Sequence, residues 1–274
     1  YLLNELKAER FVLAGTDYVF PRTANKILEA YLQQKGVKGA DIMINYTPFG
    51  HSDWQSIIAE IKKFGSAGKK TAIISTINGD ANVPFYKVLA NQGVSAAAIP
   101  VMAFSVGEEE LSGIDARPLV GHLAAWNYFM SVDNPDNAAF IKKWHAFIKD
   151  DKRVTNDPME AHYIGFNLWV QAVQKAGTTR VDDVLKAIVG ISVPNLTGGT
   201  ATLLPNHHIT KPVLIGEIQE DGQFQVVWET PKEVPGDAWS DYLPDSKNLE
   251  ADWTDPVNCG NYNIVTKKCG GGAK

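Results

Sequence analysis

The stretch Phe11-Val12-Leu13-Ala14-Gly15-Thr16-Asp17-Tyr18-Val19-Phe20-Pro21-Arg22 decides the fold. A short apolar run enters a loop of small, acidic and aromatic residues, and beyond it Ile27, Leu28, Tyr31 and Leu32 recur at helical spacing. That is a strand feeding a helix. Three further apolar runs follow, Ile42-Met43-Ile44-Asn45-Tyr46, Ala72-Ile73-Ile74-Ser75-Thr76 and Pro100-Val101-Met102-Ala103-Phe104. Successive runs begin about thirty residues apart, the length of one βα unit. After the second, Ser52-Asp53-Trp54-Gln55 has capping-box spacing, and Ile57, Ile58, Ile61 and Phe64 then share a helix face. Strands alternating with amphipathic helices predict a parallel sheet covered on both faces by right-handed crossovers. Residues 1–130 therefore read as an α/β lobe.

Beyond Tyr128 the pattern becomes helix upon helix. Asn134 before Pro135 is a cap with Pro at the first helical position, and Phe140, Ile141, Trp144, Phe147 and Ile148 make an apolar stripe. Asp157-Pro158-Met159-Glu160 reads as cap and box of a second helix, continued by Tyr163, Phe166, Val170 and Val173. A third runs from near Thr179 to near Val189. Residues 131–212 thus carry three helices with no sheet of their own to cover. From 213 to 232 the period is that of strands, with Glu220-Asp221-Gly222 marking a hairpin turn. Residues 233–274, rich in Pro, Asp, Trp and Gly, read as an irregular tail.

Composition removes several classes of function. Of 274 residues 45% are hydrophobic, with 7 Trp, 9 Tyr and 11 Phe, enough to fill a core. The net charge is −5 with no block of like charges, which gives no footprint for nucleic acid. No apolar run is long enough to span a bilayer, and Tyr1-Leu2-Leu3-Asn4-Glu5-Leu6-Lys7 shows no signal-peptide pattern. The two cysteines, Cys259 and Cys269, flank a Gly- and Asn-containing stretch. One reading is a disulfide worth about 2–3 kcal/mol, which would place the protein outside the reducing cytosol. The other is a pair of free thiols in the tail.

Ligands of open parallel sheets bind beyond the carboxyl ends of the strands. The loops there are 15–22, Thr47-Pro48-Phe49-Gly50-His51, Asn78-Gly79-Asp80-Ala81-Asn82 and Ser105-Val106-Gly107-Glu108-Glu109-Glu110. They collect rings, carboxylates and amides, a mixture suited to a small polar molecule. Asp17, Asp80 and Glu108 would accept from N–H donors or a cation and disfavour phosphate. Each also has a structural reading: Asp17 as cap of the helix after Pro21, Asp80 as a turn residue, Glu108 with Glu109 and Glu110 as first-turn acids. Tyr18 and Phe20 have little local structural duty in a strand-to-helix loop and point to a ligand. No phosphate loop, nucleophile elbow or zinc-binding helix motif occurs, so neither a cofactor nor an enzyme is expected. His207-His208 would point to opposite faces of a strand, which makes a poor metal site.

The segments 15–25 (Gly-Thr-Asp-Tyr-Val-Phe-Pro-Arg-Thr-Ala-Asn), 46–53 (Tyr-Thr-Pro-Phe-Gly-His-Ser-Asp), 75–82 (Ser-Thr-Ile-Asn-Gly-Asp-Ala-Asn) and 205–208 (Pro-Asn-His-His) resemble the urea-binding proteins of ABC transporters. Those are type I periplasmic binding proteins, related to branched-chain amino acid and short-chain amide receptors. The resemblance implies an α/β, type I periplasmic-binding-protein fold, with one complete parallel-sheet lobe (1–130) and an incomplete second lobe (131–212) whose N-terminal part, with the signal peptide, lies outside this sequence. The 213–232 hairpin would return to the first lobe. It further implies a monomeric periplasmic protein that captures urea or a short-chain amide between hinged lobes and delivers it to ABC permease subunits of the inner membrane. By the same resemblance Tyr18 and Phe20 pack on the ligand. Phe20 replaces a Tyr found in some relatives and so cannot hydrogen-bond. Urea carries four N–H donors and one carbonyl, so Asp17, Asp80 and Glu108 are expected to accept from it or to fix the aromatic pair, with Asn78 and Ser105 assisting. Two alternatives stand: a cytoplasmic amide-sensing regulator of the same fold, which would bind a transcription-control partner, and an amidase-type hydrolase.

Overall fold

The computed structural model describes residues 1–244, 246–250, 262, 263 and 265–269. Along the chain run β1 (Arg10–Thr16), α1 (Val19–Gln34), β2 (Ile42–Thr47), α2 (Gln55–Gly65), β3 (Thr71–Thr76), α3 (Asn82–Asn91), β4 (Val101–Ala103) and α4 (Glu108–Ser112). They are followed by β5 (Leu123–Trp126), α5 (Pro135–Ile148), α6 (Asp157–Ala176), α7 (Val181–Ile188), β6 (Ser192–Pro194), β7 (Thr200–Thr202), β8 (Leu214–Ile218) and β9 (Phe224–Glu229). Three two-residue strands, β10 (Leu249–Glu250), β11 (Tyr262–Asn263) and β12 (Lys268–Cys269), close the order and pair antiparallel. Two compact units result, residues 1–105 with the described residues from 238 onward, and residues 106–237.

In the first unit the strands lie side by side as β2-β1-β3-β4, every pair parallel. Phe11 faces Ile42 on one side and Ala72 on the other. Phe11, Val12, Leu13, Ala72 and Ile73 are almost entirely buried. That is the near-continuous apolar strand a sheet needs when helices cover both faces. Leu32 of α1, Ile58 and Ile61 of α2, and Phe85 and Leu89 of α3 supply the cover. Gly15 lets α1 start close above the sheet: a Cβ there would lie 2.5 Å from Thr76 Oγ1 and 2.8 Å from Pro21 Cβ. A contact that short forces backbone shifts, typically costing about 1–3 kcal/mol.

The capping box expected at Ser52 does not form. α2 starts at Gln55 behind Trp54, with no side-chain cap, while Asp53 Oδ1 lies 3.4 Å from Gln55 N. Trp54 is 1% exposed, packs edge-on against Phe85 and donates Nε1–H to the His51 carbonyl at 3.1 Å. Burial of that indole, rather than a side-chain cap, sets the helix entry. The expected Cys259–Cys269 bridge has one partner on β12, whereas Cys259 lies outside the described residues.

The second unit has an antiparallel β5-β8-β9 sheet. Its β8–β9 turn is the Asp-Gly turn read from sequence: Gly222 takes φ 79°, a left-handed value that suits glycine, and Asp221 Oδ1 accepts from Gln223 N at 3.0 Å. Asn134 caps α5 as expected, accepting from Asp136 N at 2.9 Å. On α6 the cap is Asn156, which accepts from Met159 N at 3.1 Å, not Asp157. The Asp157 carboxylate is occupied elsewhere, accepting from Asn127 N at 2.9 Å. The segment read as three helices with little strand contributes β6 and β7. Ile164, Leu168 and Ala172 of α6 and Val184 of α7 pack there with Val193 and Ala201 in one core cluster.

Candidate functional site

The first unit assembles its polar and aromatic side chains where β1, β2 and β3 end. Asp17 N donates to Thr47 O at 2.7 Å, and Asn78 N donates to Thr16 Oγ1 at 2.9 Å, so the three post-strand loops are tied together by backbone groups. Tyr18 is the N-cap of α1 in extended conformation, with no side-chain cap bond, which frees its ring and hydroxyl for other contacts. The Tyr18 ring lies 4.7 Å from Phe49 and 6.2 Å from Phe20, centroid to centroid. Both phenylalanines are exposed, Phe49 at 61% and Phe20 at 38%. Ring clusters of this kind offer flat apolar faces with one polar handle. Here the handle is the Tyr18 hydroxyl, which accepts from Asn78 Nδ2 at 2.6 Å.

The three acidic residues, expected to accept from a ligand or to fix the aromatic pair, lie in different surroundings. Asp17 is bound by Arg22, whose Nε lies 2.5 Å from Asp17 Oδ1. That hydrogen bond holds the Asp17 carboxyl below its usual range. The same guanidinium sits 4.4 Å above the Tyr46 ring. Asp17 is neither the cap of α1 nor the group that fixes Tyr18; Asn78 is bonded to Tyr18 instead. Asp80 is exposed on a one-turn helix, Gly79–Ala81. Ser105 is buried, and its carbonyl lies 3.4 Å from Asn82 Nδ2, the amide that also bonds the Ile77 and Gly79 carbonyls.

Glu108 belongs to the second unit. It is 1% exposed, and its Oε1 accepts from Met130 N at 2.6 Å. Burial pushes its carboxyl up to about 8, with nearby Glu110 and Asp157 adding to the rise, so near neutrality it is largely protonated. Buried in this way, the Glu108 carboxyl carries little negative charge near neutrality. The run Glu108-Glu109-Glu110 gives no sign of which member is buried, because that depends on the loop of residues 127–130. Glu110 completes the first turn by accepting from Gly107 N at 2.8 Å.

Phe49 and Arg22 stand in the same post-strand loops without having been expected at the site. Phe49 was legible as an aromatic next to Gly50 in a post-strand loop; Arg22 was legible only through its five-residue distance from Asp17, one turn into α1. His207 and His208 occupy a turn, His207 at φ 64°, with His208 N bonded to Asn206 Oδ1 at 3.1 Å. Among the described residues no three His, Cys, Asp or Glu side chains come together as a metal site, and no helix is long and apolar enough to cross a membrane.

Comparison with known proteins adds three kinds of likeness. The family described as "Periplasmic binding protein domain" matches residues 1–245. Among solved structures, a solute-binding protein of an ABC transporter from Rhodopseudomonas palustris HaA2, in complex with p-hydroxybenzoic acid, is 21% identical with a TM-score of 0.74, covering 85% of this chain and 63% of that one. An amino acid ABC transporter substrate-binding protein from Pseudomonas fluorescens Pf-5 is 18% identical at TM-score 0.70, covering 88% and 63%. A benzoate complex of an R. palustris solute-binding protein is 16% identical at TM-score 0.71, covering 86% and 62%. The chain thus spans less than two thirds of the length of these structures. Limonene hydroxylase of Geobacillus stearothermophilus is 28% identical over 134 residues, 48% of this chain and 24% of that protein.

Proposed function

From the premise that the chain belongs to the periplasmic binding protein family, we propose that it captures urea or a short-chain amide as the solute-binding component of an ABC importer. In this reading it works as a monomer in the periplasm and hands its solute to the membrane permease. It binds without chemical conversion. The observation that carries the reading is the ring cluster of Tyr18, Phe20 and Phe49 with the Asn78 amide bonded to the Tyr18 hydroxyl. Flat rings cover the faces of a planar solute, and hydroxyl and amide groups satisfy its polar edge.

A second reading is favoured by the relatives solved with hydroxybenzoate and benzoate: a solute that combines a ring with a carboxylate. The charge around the rings speaks for the amide. Arg22, the cation beside them, is already held by Asp17, so an incoming carboxylate would have to compete for it.

Calorimetric titration with urea, acetamide, leucine and p-hydroxybenzoate separates these readings, alongside an ammonia assay for turnover. Heat from urea or acetamide alone supports the proposal. Heat from p-hydroxybenzoate or leucine alone keeps solute capture and overturns the amide. Ammonia release would make the protein a hydrolase. For whichever solute binds, Tyr18→Ala is expected to weaken affinity at least tenfold, about 1.4 kcal/mol. An unchanged affinity would remove Tyr18 from the site.

A further inference from the structure

We propose that Tyr18 and Asn78 act as one recognition couple that selects carboxamides over carboxylates. The inference rests on the solute-binding reading above and assigns to it the pair of residues that discriminates.

A tyrosine hydroxyl has one hydrogen and can accept as well; a primary amide has donors on nitrogen and an acceptor oxygen. In the structure the Asn78 nitrogen donates to the Tyr18 oxygen at 2.6 Å. That bond leaves the Tyr18 hydrogen to be donated elsewhere and leaves Asn78 Oδ1 as an acceptor beside it. Reversing the amide exchanges the two roles, and in either orientation the couple keeps an acceptor and at least one donor, since the amide nitrogen carries a second hydrogen. The couple is therefore complementary to the edge of a carboxamide or of urea, which presents a carbonyl oxygen next to an N–H. A carboxylate has no hydrogen to donate and leaves the couple's acceptor unpaired. A site built around hydrogen-bonding groups rejects such a mismatch strongly, because the polar groups left unpaired pay for their desolvation.

Three features hold the couple in place. Asn78 is fixed by its own backbone N–H on Thr16 Oγ1 at 2.9 Å. Tyr18 is fixed as the first residue before α1, with Tyr18 N donating to Thr16 O at 2.9 Å. Its ring is braced by Phe49 at 4.7 Å. Thr16, at the end of β1, thus receives a bond from each partner, and the two side chains meet across adjacent strand ends.

The test uses the full chain with Tyr18→Phe and Asn78→Asp, acetamide and acetate as the paired probes, and side-chain amide NMR of the free protein. The Asp substitution keeps the size of Asn78 but replaces its donor with a carboxylate that takes the Tyr18 hydrogen for itself. Expected are a wild-type preference for acetamide over acetate of at least tenfold and a loss of acetamide affinity of at least tenfold in each variant. In the NMR spectrum, the amide pair that Asn78→Asp deletes is the one that Tyr18→Phe shifts. Acetamide binding that survives both substitutions overturns the couple and leaves the proposed function standing. A chain that binds no amide overturns the proposed function and, with it, the selectivity assigned here. An Asn78 amide pair unmoved by Tyr18→Phe overturns the couple even without a ligand.

Discussion

The Asp17–Arg22 pair of the first unit and the Glu160–Lys211 pair of the second join a carboxylate to a cation in opposite surroundings. Asp17 and Arg22 retain 47% and 32% of their side-chain exposure. Glu160 and Lys211 keep 0% and 8%. In water the partner dominates, so Arg22 draws the Asp17 carboxyl down. In the interior desolvation dominates: burial pushes Glu160 up to about 7 even though the Lys211 ammonium pulls the other way. Asp157 and Glu108 lie on the same side of this contrast, both raised chiefly by burial. The lesson is that counting acids in strand-end loops does not count the negative charges a solute meets. Of the three selected carboxylates, one is compensated and one is largely protonated.

The sharpest way to break this contrast is Lys211→Met. Above the Glu160 value, at pH 8, removing one partner of this buried pair leaves the other charge uncompensated, and the expected destabilisation is about 3–5 kcal/mol, read from guanidinium chloride unfolding. The loss should grow as pH rises, since Glu160 must then stay protonated or carry an unpaired charge. A loss below about 1 kcal/mol would mean that this pair behaves like a surface pair. Next in size is a pH effect. Glu108 and Glu160 hold their protons to about 8 and about 7, against an ordinary glutamate value of 4.5. A carboxyl raised by folding contributes stability that is complete below its unfolded value and is lost as pH rises through the folded one. Thermal melts should therefore show stability falling from pH 5 to pH 8 through these two groups. Glu108→Gln, which keeps an acceptor for Met130 N, should flatten that slope. An unchanged slope would show that Glu108 is ionised at both pH values.

The first unit was legible almost element by element. Its four strands announce themselves because a doubly covered sheet demands unbroken apolar runs such as Phe11–Ala14 and Ala72–Ile74, a property of the local sequence. Asn134 was legible as a cap because Pro135 follows it. The misplaced caps have tertiary causes. Ser52 lost to the burial of Trp54, and Asp157 lost to Asn127 N, a group 30 residues away in the sequence. At the site, Tyr18, Phe20 and Asn78 stood out by residue type in the right loops. The bond that joins Tyr18 to Asn78 did not, since it depends on β1 and β3 being neighbours in the sheet. Glu108 could not be told from Glu109 by pattern, and Arg22 looked like one more exposed helix residue until its register set it against Asp17.

The smallest expected effect is the most informative about that last pair. Asp17→Asn should change stability by less than about 1 kcal/mol, because an exposed pair gains little in high dielectric and is screened by salt. The sign follows from the lowered Asp17 carboxyl. Its contribution is present above the ordinary aspartate range and is lost as pH falls through the lower folded value, so wild type and variant should converge in acid. The same variant decides whether Asp17 faces the solute. With Arg22 holding the carboxylate, affinity for urea or acetamide should move by less than about threefold, under 0.7 kcal/mol. A tenfold loss would show that the carboxylate reaches the solute despite its arginine.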